Sequence, residues 1–293
     1  MNGLRSATRV WLACLLLGIT LISGKAFCAN GTSPKIVRNI SYMAQGGDPK
    51  LNALDIYTEA GTSNRPVIVF IHGGGWRNGD KVMGAGDKAT DFTQEGYVFV
   101  SINYRLSPAV THPVFAQDCA QAVAWVYGHI AGYGGDPKRI FLMGHSAGAH
   151  LAALISTDTH YLADVGVPMK ALRGCILLDS AAYDMRPGAP NDLIPKVLIR
   201  KAFGSDPAVL KSASPLVYVA AGHDIPPFLI FYVATRDTSR QQSETMARAL
   251  TAAHVPVEVK PAYDKSHRTL NVGLGTDGDI PTEQTLEFLA KYK

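Results

Sequence analysis

Short apolar, β-branched runs alternate along this chain with longer stretches whose apolar residues recur at helical spacing. Residues 36–43 and 52–57 predict an N-terminal hairpin. Further strands are expected at 67–71, 97–103, 140–143, 175–178, 228–233 and 255–260, each apolar enough to be buried on both faces. Helices are expected between them at 85–95, 116–133, 147–157 and 239–254, with a last one at 282–292. Strand and helix in alternation predict a mostly parallel sheet with helices on both faces. Residues 158–172 and 183–220 are less regular and carry several prolines, consistent with loops or small helices over a site. Neither is long enough for a large lid domain, and the pattern shows no internal repeat.

The first 29 residues have a different pattern. Arg5 and Arg9 precede an apolar stretch from residue 10 to 22, and small residues follow up to Ala29. This order predicts a secretory signal, cleaved after Ala26 or Ala29, and leaves residues 30–293 as one domain. The apolar stretch is short for a membrane span, which makes an uncleaved anchor the lesser alternative. A secreted or periplasmic location follows, with no lasting membrane association after cleavage. The leader holds Arg5, Arg9 and Lys25 and no acidic residue, so its loss takes three from the net charge of +4 and leaves +1. A balance so near neutral gives no case for nucleic-acid binding. Of the four cysteines, Cys14 and Cys28 fall in the leader, whereas Cys119 and Cys175 lie on apolar faces and read as small buried hydrophobes. The nine histidines show no metal-ligand spacing, and no phosphate-binding Gly-Lys-Ser/Thr loop is present.

The chemistry lies in two loops. Gly144-His145-Ser146-Ala147-Gly148 stands between an expected strand and an expected helix. Such a turn exposes the serine at a strand tip in a strained backbone conformation, and the flanking glycines avoid clashes. The helix start aims its first N–H groups where an oxyanion would form. Upstream, His72-Gly73-Gly74-Gly75-Trp76 follows the strand at 67–71. Its glycines let backbone N–H groups approach a substrate, although a Gly-rich turn can also be a mere connection.

A serine needs a base, and the base needs a carboxylate to orient it. His267 is favoured as base, since it follows the last strand in the polar turn Asp264-Lys265-Ser266-His267-Arg268. His254 ends a helix, His223 lies in a Pro-rich loop, and His145 and His150 flank Ser146 too closely in sequence. Asp237 is favoured as acid because it follows the strand at 228–233, where parallel sheets place their chemistry. The alternative for Asp237 is a carboxylate at a helix N-terminus. Asp224 and Asp184 are rivals, whereas Asp118 and Asp136 precede Ser146. Trp76, Tyr104 and His145 are placed near the substrate. Trp76 and Tyr104, with Tyr183 and Phe203, suit either an aromatic pocket or packing.

Taken together, His72-Gly-Gly-Gly-Trp76, Asn103-Tyr104-Arg105-Leu106, Gly134-Gly135-Asp136-Pro137 and Gly144-His-Ser-Ala-Gly148 resemble the α/β-hydrolase superfamily. Within it, the chain is similar to bacterial feruloyl-esterase-like and hormone-sensitive-lipase-like carboxylesterases. The resemblance implies a triad of Ser146, Asp237 and His267, and oxyanion donors at Gly74, Gly75 and Ala147. It also implies that no metal or organic cofactor is needed. A serine carboxylesterase for short-acyl or aromatic-acid esters is the expected activity. An arylformamidase with the same triad is the first alternative, and a catalytically silent binding protein of this fold is the second. Two departures bear on the acid loop: Ala234-Thr235-Arg236 replaces a Gly-containing strand end, and His254 stands where the helix usually ends in Gly.

Overall fold

The computed structural model describes residues 33–190 and 193–293. The expected leader therefore lies outside the described residues. Ser33–Lys293 forms one compact unit. Among the described residues the strands are β1 (Lys35–Ser41), β2 (Ala53–Thr58), β3 (Arg65–Ile71), β4 (Val98–Ile102), β5 (Gly135–His145), β6 (Leu172–Leu178), β7 (Phe228–Val233) and β8 (Val257–Ala262). They make a single sheet in the order β1-β2-β4-β3-β5-β6-β7-β8. β1 and β2 pair antiparallel, as do β2 and β4, and all remaining pairs are parallel.

The helices are α1 (Lys81–Ala85), α2 (Lys88–Gln94), α3 (Val114–His129), α4 (Ala147–Thr157), α5 (His160–Ala163), α6 (Leu193–Phe203), α7 (Pro207–Ser212), α8 (Asp237–Ala252), α9 (His267–Val272) and α10 (Ile280–Tyr292). Successive strand residues point to opposite faces, so the sheet carries a core on each side. Val67, Val69 and Ile71 share one core with residues of α3, α4 and α8, while Ile68 and Phe70 share the other with Phe92 of α2, Leu270 of α9 and Phe288 of α10. The expected helix at 85–95 is two pieces, because Gly86 takes φ 51° and ends α1. The irregular stretches contain α5, α6 and α7. Cys119 and Cys175 are free and buried, and burial pushes the Cys175 thiol up to about 12.

Strand order positions the site. From β3 the chain crosses to β4 on one side, whereas β5 pairs on the other, with Ile71 opposite Gly144. Parallel sheets open a crevice at the carboxyl ends of strands where the winding reverses. Loops after β3 and β5 meet in that crevice. Three glycines permit the approach. A Cβ on Gly148 would lie 2.0 Å from the Ile71 carbonyl, one on Gly144 would lie 2.3 Å from the Gly148 carbonyl, and one on Gly73 would lie 2.9 Å from His145 Nδ1.

Gly148→Ala is therefore expected to cost about 3 kcal/mol or to abolish folding, since backbone on both sides must move. Gly128→Ala is the control: nothing lies within 4 Å of its added Cβ inside α3. There the helix should gain about 0.5–1 kcal/mol. Chemical denaturation of both variants checks the contrast, and equal stabilities would refute the close-approach account.

Candidate active site

Ser146 stands between β5 and α4 with φ 56° and ψ −117°, a conformation that L residues rarely adopt. Its N–H donates to the Leu178 carbonyl at 2.9 Å and its carbonyl accepts from the His150 N–H at 3.1 Å. The strained turn is thus clamped from both sides, and strain of this kind persists only where surroundings over-determine it. Ala147 opens α4, so its N–H belongs to the first turn, whose donors have no partner within the helix.

The loop after β3 turns tightly. Gly74 has φ 118° and its carbonyl accepts from the N–H groups of Arg77 and Asn78; Gly75 has φ 60°. A Cβ on Gly74 would fall 2.0 Å from the Asn78 carbonyl. His72 is buried and donates from Nδ1 to the Gly73 carbonyl at 2.7 Å. Gly73 thus lies against the turn of Ser146, an added Cβ there being 3.2 Å from Ser146 Cβ, while Gly74 is exposed and Gly75 stands against Leu198.

His267 is the first residue of α9. The Ser266–Thr269 capping box fixes that helix start, with the Ser266 N–H donating to Thr269 Oγ1 at 2.7 Å. The ring of His145 packs against that of His267 at 4.5 Å, and His145 Nε2 donates to the His267 carbonyl at 2.8 Å. The residue before Ser146 thereby holds the His267 backbone over the turn. Burial pushes the His145 imidazole down to about 3, so it stays neutral in this role.

The carboxylate beside His267 is Asp179. Its Oδ2 lies 2.6 Å from His267 Nδ1, at the carboxyl end of β6. Asp179 is wholly buried, with φ 53°, and Oδ1 accepts from the Val233 N–H at 3.1 Å and from the Ser239 hydroxyl. Arg236 Nη1 pairs with Asp179 Oδ2 and sits 2.8 Å from His267 Nδ1. Burial alone would raise this carboxyl, yet the His267 hydrogen bond, the Arg236 charge and the Ser239 hydroxyl hold it well below the usual carboxylate range. An ionised carboxylate only accepts, so the Nδ1–H donates to Asp179 Oδ2, the Arg236 N–H is directed to the same carboxylate, and Nε2 keeps its lone pair, the tautomer a general base needs.

The expected acid is corrected by this arrangement. Asp237 is the first residue of α8, its side chain is 80% exposed, and it pairs with Arg240 at 3.2 Å. It is a helix N-terminal carboxylate, because Arg236 takes the N-cap and turns the next residue outward. The rivals are engaged elsewhere: Asp184 with Arg186, Asp224 with Lys170, Asp118 with Arg105, and Asp136 with Arg139. Asp179 was legible by the same rule that favoured Asp237. It directly follows an apolar run and falls between Ser146 and His267 in the chain.

Residues 54–168 match the family model BD-FAE. The chain is 28% identical over 273 residues to esterase LipQ of Mycobacterium tuberculosis, covering 88% of this chain and 64% of that protein. It therefore spans just under two thirds of the length of that relative. It is also 28% identical to kynurenine formamidase of Danio rerio, over 84% of this chain and 80% of the relative. In three dimensions it superposes on esterase B of Lactobacillus rhamnosis with a TM-score of 0.73 at 24% identity, over 89% and 85% of the two chains. That likeness shows the fold. The chain has the α/β-hydrolase fold, and the sequences it resembles include esterases.

Several aromatic residues of this chain are buried behind the loops. Tyr104 is fully buried, stacks on His72 at 4.5 Å and donates to the His72 carbonyl at 3.2 Å. Trp76 is buried between His150 and Phe203, and Tyr183 and Phe203 are buried as well. His145 is likewise buried beneath His267. Trp76, Tyr104 and His145, expected near the substrate, are thus placed by the structure as buried residues behind the loops. The reason is close packing of the glycine loop, which leaves space for these rings only behind it.

Arg236 has a separable effect. Arg236→Gln removes the cation but leaves Asp179 with Val233, Ser239 and His267, so turnover should fall only severalfold. The stability of the site should change more in acid. A carboxyl held below its unfolded value contributes stability in full at neutral pH and loses it as pH falls through the folded value. Without Arg236 that folded value rises, and acid unfolding should begin at higher pH. The groups facing this carboxyl are Arg236, Ser239, His267 and His145. An acid-unfolding midpoint equal to wild type would show that Arg236 contributes nothing there.

Proposed function

We propose that this hydrolase is a serine carboxylesterase for short-acyl or aromatic-acid esters, exported to the periplasm or beyond. Ser146 is the nucleophile, His267 the base and Asp179 the acid. Gly74 or Gly75 and Ala147 donate backbone N–H groups to the oxyanion. The observation that carries the reading is the His267 Nδ1–Asp179 contact at 2.6 Å beside a serine held at φ 56°. Ser146 Oγ attacks the ester carbonyl while its proton passes to His267 Nε2. The tetrahedral intermediate collapses, the C–O bond to the alcohol breaks, and the alcohol leaves with that proton. Water then repeats the sequence on the acyl-enzyme and releases the acid. Leu198 of α6 supports the short-acyl preference: it stands against Gly75, where an added Cβ would be 3.0 Å from its Cδ1. Export rests on the pattern of the first 29 residues.

The formamidase relative favours a second reading, in which the same residues cleave an N-formyl amide. Assay of the mature protein against p-nitrophenyl acetate, butyrate and octanoate, alongside N-formylkynurenine, separates the two. Ester turnover that falls with chain length, with formamide turnover far slower, is the expected result. Faster formamide cleavage would replace the esterase reading, and no turnover of either class would overturn both.

A further inference from the structure

Behind the glycine loop lies a buried group that the proposed mechanism does not use. His150 stands one turn into α4 and is fully buried. Its backbone N–H donates to the Ser146 carbonyl at 3.1 Å. Its Nδ1 receives the Trp76 indole N–H at 3.2 Å, and its Nε2 lies 2.7 Å from the Ala213 carbonyl. An indole nitrogen only donates, so Nδ1 must be the acceptor. Nε2 then carries the proton and donates to Ala213. The tautomer is determined without ambiguity, and burial pushes this imidazole down to about 4, which keeps it neutral.

Trp76 directly follows the glycine loop and has φ 59°, while its carbonyl receives the Ser107 N–H at 2.9 Å. Phe203 meets both rings edge-on, at 4.9 Å from Trp76 and 5.6 Å from His150. One residue thus ties the turn carrying Ser146 and Ala147 to the end of the loop carrying Gly74 and Gly75. These two segments belong to different strands and must present their N–H groups to a single oxygen.

We propose that His150 is a positioning residue whose link from Trp76 to the Ser146 backbone sets the spacing between the two halves of the oxyanion hole. This rests on the esterase reading for its kinetic consequence, though not for its geometry. Supporting shells hold reacting groups to within about 0.5 Å, and a misplacement of about 1 Å costs about a hundredfold. A buried imidazole serving only as packing would move stability and leave the split between kcat and KM untouched.

The test uses His150→Phe, which keeps a ring against Phe203 but loses both side-chain bonds. Trp76→Phe, which removes the donor and shortens the ring but leaves the His150–Ala213 bond in place, covers the case in which the first variant fails to fold. His150→Gln offers an acceptor and a donor and serves as the conservative rescue. With p-nitrophenyl butyrate, each Phe variant should lose about ten- to a hundredfold in kcat with KM within about twofold. The double variant should lose no more than either alone, because both break one link. Gln should recover part of the loss. Unchanged kcat with only a lower melting temperature, or losses that add in the double variant, would overturn the proposal. If wild type hydrolyses no ester, the esterase reading fails and NMR decides this inference. The Trp76 indole signal and the amide signals of Gly74, Gly75 and Ala147 should all shift in His150→Phe. Amide signals that stay in place would overturn it.

Discussion

Ser146→Ala should lower ester turnover by about a millionfold, the loss seen when a serine hydrolase is deprived of its nucleophile. The variant should fold as wild type does. The turn is held by backbone bonds from the Ser146 N–H to Leu178 and from the His150 N–H to the Ser146 carbonyl, and neither uses the side chain. Alanine also tolerates φ 56° no worse than serine, because the steric cost arises at Cβ, which both possess. Steady-state rates with p-nitrophenyl butyrate, thermal melts and the burst of released nitrophenol check the expectation together. Wild type should give a burst equal to the enzyme concentration, and the variant none. Substantial turnover by Ser146→Ala, in protein shown to be folded, would mean that another residue attacks the ester.

The second large effect separates two aspartates. Asp179→Asn should reduce kcat about ten-thousandfold, as loss of the orienting carboxylate does in related triads. An amide in that place can donate to Nδ1, which favours the tautomer with its proton on Nε2 and removes the base. Asp237→Asn should change turnover by less than about twofold, since an exposed pair such as Asp237–Arg240 contributes at most about 1 kcal/mol to stability. Comparable losses in both variants would refute the assignment, and a large loss in Asp237→Asn alone would restore the acid expected from sequence. The pH dependence of stability adds a second check. Asp179 is held below its unfolded value, so its contribution is complete at neutral pH and disappears as pH falls below the ordinary carboxylate value of about 3.9. Asp179→Asn lacks that component. Its stability should be lower than that of wild type at neutral pH and should fall less steeply through the acid range.

Features with a local cause were legible before any coordinate. Apolar β-branched runs announced β3 to β7, because a strand buried on both faces has no polar side to alternate with; β8 lies at the sheet edge and is only half-buried, so the expectation of burial on both faces fails there. Gly-X-Ser-X-Gly and the three glycines after β3 were legible because close backbone approach excludes a Cβ, and the structure shows those approaches at Gly144, Gly148 and Gly74. His267 was legible from its position beyond the last strand. The acid was misread because Asp179 and Asp237 satisfy the same local rule: each follows an apolar strand, after Ser146 and before His267. Aromatic residues were ambiguous for a similar reason, since Trp76 and Tyr104 would look the same in a pocket wall or behind it.

The sequence by itself thus determined the layered fold, the strained turn of Ser146, the glycine loop and the place of His267 beyond the last strand, all set by short-range sterics and periodic burial. Only the tertiary structure decided which carboxylate meets His267. Asp179 directly follows β6 and turns inward at φ 53°, whereas α8 begins at Asp237 and its axis carries that side chain into solvent. The difference is one of direction at the ends of two neighbouring strands. It is set by how α8 packs on the sheet, and by Arg236 and Ser239 closing on the buried charge of Asp179.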